Sequence, residues 1–243
     1  MKIKTAKHTD VGGRSVNEDC LMVASGKGAW IAAVADGLGG HGMGDAASAL
    51  ACETAEKLFS ESSVVDDELV EKIYAGCQDA LIARQKELRV QGKMRTTLNL
   101  FLADEKNIYL SHIGDSRTYY FKDKQLVRRT FDHSVPQMLA AAGQISESEI
   151  RFHEDRNRLL RVLGVEDRKP AYDSEPVLPV EGGQQFLLCS DGFWELISEE
   201  QMLLCLDEAE EPGLWLENMV ELVRRNGRGK STDNATAVAL WIY

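Results

Sequence analysis

The chain has 243 residues, 44% of them apolar, enough to bury a sizeable core and too many for a disordered chain. Its 28 basic and 39 acidic residues give a formal charge of −11, a field that repels nucleic acid and anionic membrane surfaces. No apolar stretch approaches the roughly eighteen residues of a membrane span, the N-terminus lacks the apolar centre of a signal peptide, and the five cysteines contain no Cys-x-x-Cys pair; the reading is a soluble, cytoplasmic protein with reduced thiols.

Residues 3–12 alternate weakly and turn at Gly12-Gly13, and two strands follow at 20–24 and 30–35 around the turn Ser25-Gly-Lys-Gly, a hairpin that favours an antiparallel sheet. After a glycine-rich stretch at 37–44, Ala47, Leu50, Ala51 and Leu58 recur at helical spacing through Phe59. A second helix is expected over 66–90, with Leu69, Ile73, Cys77, Ala80, Leu81 and Leu88 on its apolar face. From Thr96 to Thr130 four short strands read as an antiparallel meander, divided at Glu105-Lys-Asn, Gly114-Asp-Ser and Lys122-Asp-Lys. Residues 135–142 form a short helix ended by Gly143, and Ser146 with Glu149 three residues on matches a capping box. The pattern between Gly143 and Pro170 is polar and irregular, and a long loop inside a compact domain is either disordered or functional. Strands at 172–178 and 184–189, helices near 199–206 and 212–225, and a last strand over 234–243 complete the pattern, with no linker or repeat to divide it.

Four aspartates stand where an apolar run meets a polar turn: Asp36, Asp115, Asp191 and Asp233. Buried strands bounded by such turns would carry these carboxylates to the rims of a sheet, where short, rigid acid side chains suit a hard divalent cation that keeps several waters. An Asp-Gly pair such as Asp36-Gly37 or Asp191-Gly192 is by itself first a turn. Repetition of the pattern, not any single pair, points to a metal-dependent hydrolase. Arg14, Glu18 and Asp19 add a phosphate-shaped guanidinium and two acids just before a strand, although the same residues would serve as ordinary ion pairs on an exposed loop. His112 reads as a core histidine and His133 as a helix start; His41 is the histidine beside the acid cluster. No cysteine is followed by Arg at the Cys-x5-Arg spacing of thiol phosphatases.

Taken in order, Arg14-Ser-Val-Asn-Glu-Asp, Ala35-Asp-Gly-Leu-Gly-Gly-His, Thr96-Thr, His112-Ile-Gly-Asp-Ser-Arg, Asp132-His-Ser, Cys189-Ser-Asp-Gly-Phe-Trp-Glu and Asp233-Asn resemble the motifs of the protein phosphatase 2C family, most of all its compact bacterial members. The resemblance implies an α+β fold, a four-layer αββα sandwich of two antiparallel sheets flanked by helices, forming a single catalytic domain over 1–243 with a flap at about 143–170. It implies a protein serine/threonine phosphatase that uses two manganese or magnesium ions, with a third, weaker one, and hydrolyses phosphoserine and phosphothreonine by in-line attack of a metal-bridging hydroxide. By the same resemblance Asp36 bridges both metals and Gly37 offers its carbonyl to one. Asp191 and Asp233 hold the other metal, Glu18 acts through bound water, Asp115 serves the third metal with Asp191, and Arg14 holds the phosphoryl group.

Implied partners are phosphorylated proteins, including a cognate bacterial Ser/Thr kinase or its substrates, met by a monomer that binds neither nucleic acid nor membrane. Three positions depart from the family pattern. Leu38 stands where eukaryotic members often carry His, which leaves the leaving-group acid to a bound water or His41. Glu195 replaces a common Asp, and Arg95 a common Gly before Thr96-Thr97. A phosphatase-like regulatory module without catalysis and a hydrolase of small phosphoesters are the competing readings.

Overall fold

The computed structural model describes residues 2–38 and 42–243. Strands β1 (Ile3–Asp10), β2 (Asp19–Gly26) and β3 (Ala29–Asp36) lead into helices α1 (Gly44–Glu61) and α2 (Asp67–Leu88). Strands β4 (Leu98–Ala103), β5 (Asn107–Ile113), β6 (Arg117–Lys122) and β7 (Gln125–Arg129) follow, then helix α3 (Val135–Ala141) and a 3-10 turn at Glu147–Phe152. Two-residue strands β8 (Asp173–Ser174) and β9 (Leu178–Pro179) precede β10 (Gln184–Cys189), the short helix α4 (Asp191–Trp194), helices α5 (Glu199–Glu208) and α6 (Pro212–Gly227), and strand β11 (Ala235–Ile242). One sheet has the order β1-β11-β10-β6-β7 and the other β2-β3-β4-β5-β8, with β9 also on β5; every pairing is antiparallel.

Side-chain alternation explains the layering. In β3 and β4, Ile31, Ala33, Leu100 and Leu102 point outward against Ala47 and Ala51 of α1 and Ile73 of α2, while Val34 and Phe101 point inward between the sheets. In β10 and β11, Leu187, Ala237 and Ala239 face Met202 of α5 and Trp215 of α6, while Phe186, Leu188, Val238 and Leu240 fill the space between the sheets. Strands buried on both faces read as unbroken apolar runs, which is why they are conspicuous in the sequence. Each fully buried side chain of this size contributes about 1.5–3 kcal/mol. The result is the αββα sandwich, with three apolar layers between four layers of structure.

Local chemistry sets the edges. The β2–β3 hairpin closes on Lys27 and Gly28, both at positive φ as a two-residue type I′ turn requires. Asp66 caps α2 by accepting the Leu69 N–H at 2.9 Å. The capping box expected at Ser146 and Glu149 is present.

Three expectations need correction. The 96–130 segment is not one meander: β4 and β5 belong to one sheet and β6 and β7 to the other, because Gly114, at φ 109°, turns the chain across the sandwich and β6 pairs with the distant β10. A Cβ on Gly114 would come within 2.4 Å of the Thr97 side chain, so the crossing needs glycine. The strand expected over 172–178 shrinks to two short pairings interrupted by Pro176, which lacks an N–H for the ladder. On α2, Leu88 is 40% exposed, while two glutamines are buried in the inner face. Gln85 donates to the carbonyls of Met94 (3.0 Å) and Gly164 (2.9 Å), and Gln78 donates to Val165 O (2.6 Å) and accepts the Gly164 N–H (2.8 Å). These amides tie the end of the irregular segment to the helix layer.

Candidate metal centre

The strand ends dictate where the acids go. Asp36 closes β3, Asp115 sits in the β5–β6 crossing, Asp191 opens α4 just beyond β10, and Asp233 lies two residues before β11. Antiparallel pairing brings all four turns to one end of the sandwich. Together with Arg14, Glu18 and Gly37 they line a single cavity of about 530 Å³, so the seven residues singled out from sequence meet in one place.

Each is held by backbone bonds that the neighbouring motifs supply. Thr97 Oγ1 accepts the Asp36 N–H at 2.9 Å, and the Asp36 carbonyl accepts both Thr97 N–H and Thr96 Oγ1 at 2.9 Å. The Thr96-Thr97 pair is therefore a clamp on Asp36. Gly37 donates its N–H to the Glu18 carbonyl at 3.0 Å, and a Cβ at Gly37 would meet Gly44 O at 2.1 Å. Asn234 buckles the loop that carries Arg14 and Glu18: its Oδ1 accepts the Glu18 N–H at 2.8 Å, and its Nδ2 donates to Val11 O (2.9 Å) and Val16 O (3.0 Å). Trp194 Nε1 donates to the Asp115 carbonyl at 3.0 Å.

Electrostatics reveal what the cavity lacks. Burial, then repulsion from Asp191, holds the Asp36 and Asp115 carboxyls well above the ordinary range. Burial and the nearby Asp233 push Asp191 up to about 6. Among the described residues, five acids line the cavity against Arg14 and Arg95, with no thiol or imidazole beside them. An oxygen-only donor set carrying excess negative charge fits a hard divalent cation. Among the described residues, no three His, Cys, Asp or Glu side chains form a ready-made cage.

The surroundings hold several surprises. Arg14 Nη2 donates to Asp233 Oδ2 at 2.6 Å, pairing the phosphate-binding candidate with a metal-ligand candidate. Asp19 is not among the residues lining the cavity; it accepts the Ser190 hydroxyl at 2.7 Å and is pushed by burial to about 7. Glu195 pairs with Arg156 at 3.0 Å and is also pushed by burial to about 7. Arg95 lines the cavity, and its carbonyl accepts the Leu38 N–H at 2.9 Å. Asn157 and Leu159 of the irregular segment line it too, which no pattern in the sequence marks. His112 and His133 stand behind the site, stacked at 4.6 Å, with His133 Nδ1 accepting the Gly114 N–H. His41 lies outside the described residues.

These shifts predict a pH dependence. Asp19 and Glu195 hold protons in the folded, metal-free chain that they have released when unfolded, so the stability they contribute is full at low pH and is lost as pH rises through about 7; Asp36 and Asp115, also raised by burial, act in the same direction. His8, His112 and His133 are shifted down, chiefly by burial, and act in the opposite sense, but below about pH 6.5. Metal-free protein should therefore melt at a lower temperature at pH 8 than at pH 6.5, and a saturating divalent cation should remove most of that loss. Thermal melts at the two pH values, with and without the cation, check this; an equal loss in both would uncouple the acids from cation binding.

Comparison with known proteins agrees with the geometry. A sequence model described as protein phosphatase 2C matches residues 7–215. The chain is 33% identical over 232 residues to the serine/threonine protein phosphatase PstP of Mycobacterium tuberculosis, covering 93% of this chain and 42% of PstP. It is 30% identical over 241 residues to a putative protein phosphatase 2C-type of Streptococcus pyogenes, covering 96% of this chain and 95% of that one. The crystal structure of the PstP catalytic domain in complex with two manganese ions superposes with a TM-score of 0.83 at 28% identity, over 99% of this chain and 98% of that one. The chain thus spans less than half the length of whole PstP.

Proposed function

The chain belongs to the protein phosphatase 2C family, and from that premise we propose that it is a metal-dependent protein serine/threonine phosphatase acting on phosphorylated proteins, the substrates of an opposing Ser/Thr kinase among them. The observation that carries the reading is the oxygen-lined acidic cavity at the end of the sandwich with an arginine on its edge. Asp36, the Gly37 carbonyl, Asp191 and Asp233 would hold the divalent cations. Glu18 would act through water, and Asp115 would serve a third ion. Manganese is the favoured metal, because the similar PstP domain is solved with two manganese ions. Cations bound here would supply an activated water and offset charge on the phosphoryl oxygens.

The chain's own contribution is positional. Arg14 now spends its guanidinium on Asp233. With Asp233 serving as a cation ligand, the planar donor fork of Arg14 would be free for the phosphoryl oxygens, which it matches in geometry. Leu38 offers no proton, so no side chain at that position protonates the departing hydroxyl. The 143–170 segment, which sends Asn157 and Leu159 into the cavity and is anchored by Gln78 and Gln85, acts as a flap over the substrate.

The direct test is phosphate release from a phosphothreonine peptide by metal-stripped protein, with and without added manganese. Release that requires manganese is the expected result. Folded, cation-binding protein that releases none would overturn the proposal in favour of a regulatory module; turnover confined to small phosphoesters would move it to another substrate class.

A further inference from the structure

Beside the acid-lined cavity lies a second hollow of about 360 Å³, and the two share Arg14, Asn157, Asp191 and Asp233 along a common edge. Besides the shared residues and Glu195, this hollow is lined by Arg151, Arg156 and Lys230. Arg151 is committed to structure: its guanidinium donates to the carbonyls of Trp194 and Ile197 and pairs with Glu199 at 2.8 Å. Arg156 is not. Only its Nε faces Glu195, and among the described residues its two outer nitrogens have no hydrogen-bond partner while the side chain is 41% exposed. Lys230 is exposed and has no carboxylate within ion-pair distance among the described residues. Phe152 sits on the lip and is 77% exposed, an unusual position for a large apolar ring.

In a chain of charge −11, two cations with unused donors next to the proposed reaction site stand against the overall field. Extended peptide advances about 3.3–3.6 Å per residue, so a side chain one to three residues from a phosphoresidue seated in the larger cavity reaches the hollow. We propose that the hollow is a subsite for a second anionic side chain of the phosphorylated substrate, a carboxylate or a further phosphate, held by Lys230 and Arg156, with Phe152 covering the peptide between. The inference rests on the phosphatase reading and adds a substrate preference to it. Both cations reach solvent, so their hold is modest and salt-sensitive: about three- to tenfold in kcat/KM, the range of one or two exposed ion pairs.

Three phosphothreonine peptides of equal length decide the matter: one with neutral flanks, one with aspartates within three residues, and one with a second phosphothreonine there. Wild-type protein with manganese should hydrolyse the two anionic peptides about three- to tenfold faster in kcat/KM than the neutral one, less so at high salt. In the Arg156→Ala/Lys230→Ala variant the ratio should fall towards one, and in Lys230→Glu, whose exposed position leaves folding untouched, it should fall below the wild-type value. Preference for one anionic peptide over the other identifies the source of the anion. Hydrolysis of all three peptides at equal rates, or a ratio unchanged in both variants, would overturn the subsite while leaving the phosphatase reading intact. Failure to hydrolyse even the neutral peptide would overturn both.

Discussion

Asp191→Asn is expected to lower kcat/KM on a phosphothreonine peptide by more than about 100-fold, with the metal-free protein at least as stable as the wild type. Changing a residue that merely orients a metal ligand typically costs 10–100-fold, and here a charged ligand candidate itself is neutralised. A factor of 100 corresponds to about 2.7 kcal/mol of barrier. The stability half follows from the surroundings. Asp191 is pushed up to about 6 by burial and by Asp233, and it raises Asp36 and Asp115 in turn. Removing its charge relieves repulsion that only a bound cation otherwise offsets, the usual conflict between a working site and a stable fold. Turnover at saturating manganese and melting of the metal-free protein measure the two halves. Near-normal turnover in the folded variant would remove Asp191 from the proposed ligand set.

The second large effect is expected behind the site. Arg117 and Asp132 form a two-pronged pair at 2.8 and 2.7 Å, with side chains only 3% and 1% exposed. The guanidinium lies 3.4 Å from the centre of the Trp194 ring, and its Nη1 reaches Tyr119 Oη at 3.2 Å. Asp132→Ala strands that charge in the core, where among the described residues only the partly exposed Glu199, at 3.7 Å, is left to answer it. Losing one partner of such a pair costs about 3–5 kcal/mol, and replacing both by apolar residues is often neutral. Asp132→Ala should therefore lower the melting temperature by on the order of 10 °C, while Arg117→Met/Asp132→Leu should recover most of the loss. A single variant within about 1 kcal/mol of wild type by denaturant unfolding would show that the pair carries little. Activity reads the same network, since Trp194 holds the Asp115 carbonyl.

The acids were legible because each borders a run whose burial on both faces leaves an unmistakable apolar signature, and antiparallel strands of similar length must put alternate ends together. Asp36, Asp115, Asp191 and Asp233 could thus be assigned to strand ends, and the order of seven motifs joined them to Arg14, Glu18 and Gly37. What stayed hidden depends on partners far away in the chain. Nothing local to Gly114 says that the next strand changes sheets, since β6 chooses β10, more than sixty residues later. The buried Gln78 and Gln85 break the apolar stripe of α2 because their partners are backbone groups of the 163–168 segment. The Arg14–Asp233 pair and the Asn234 clamp each join the two ends of the chain, a separation over which neighbouring residues carry no signal.

The place of β11 has a consequence for how the protein is made. Residues 235–242 insert between β1 and β10, and the turn before them supplies both Asp233 and the amide that shapes the Arg14–Glu18 loop. Until the ribosome has released that stretch, β1 has no neighbour in its sheet and the acid cavity lacks one wall. A nascent chain that has not yet released this stretch therefore lacks a complete site, because β11 both closes the sheet and brings in one wall of the cavity.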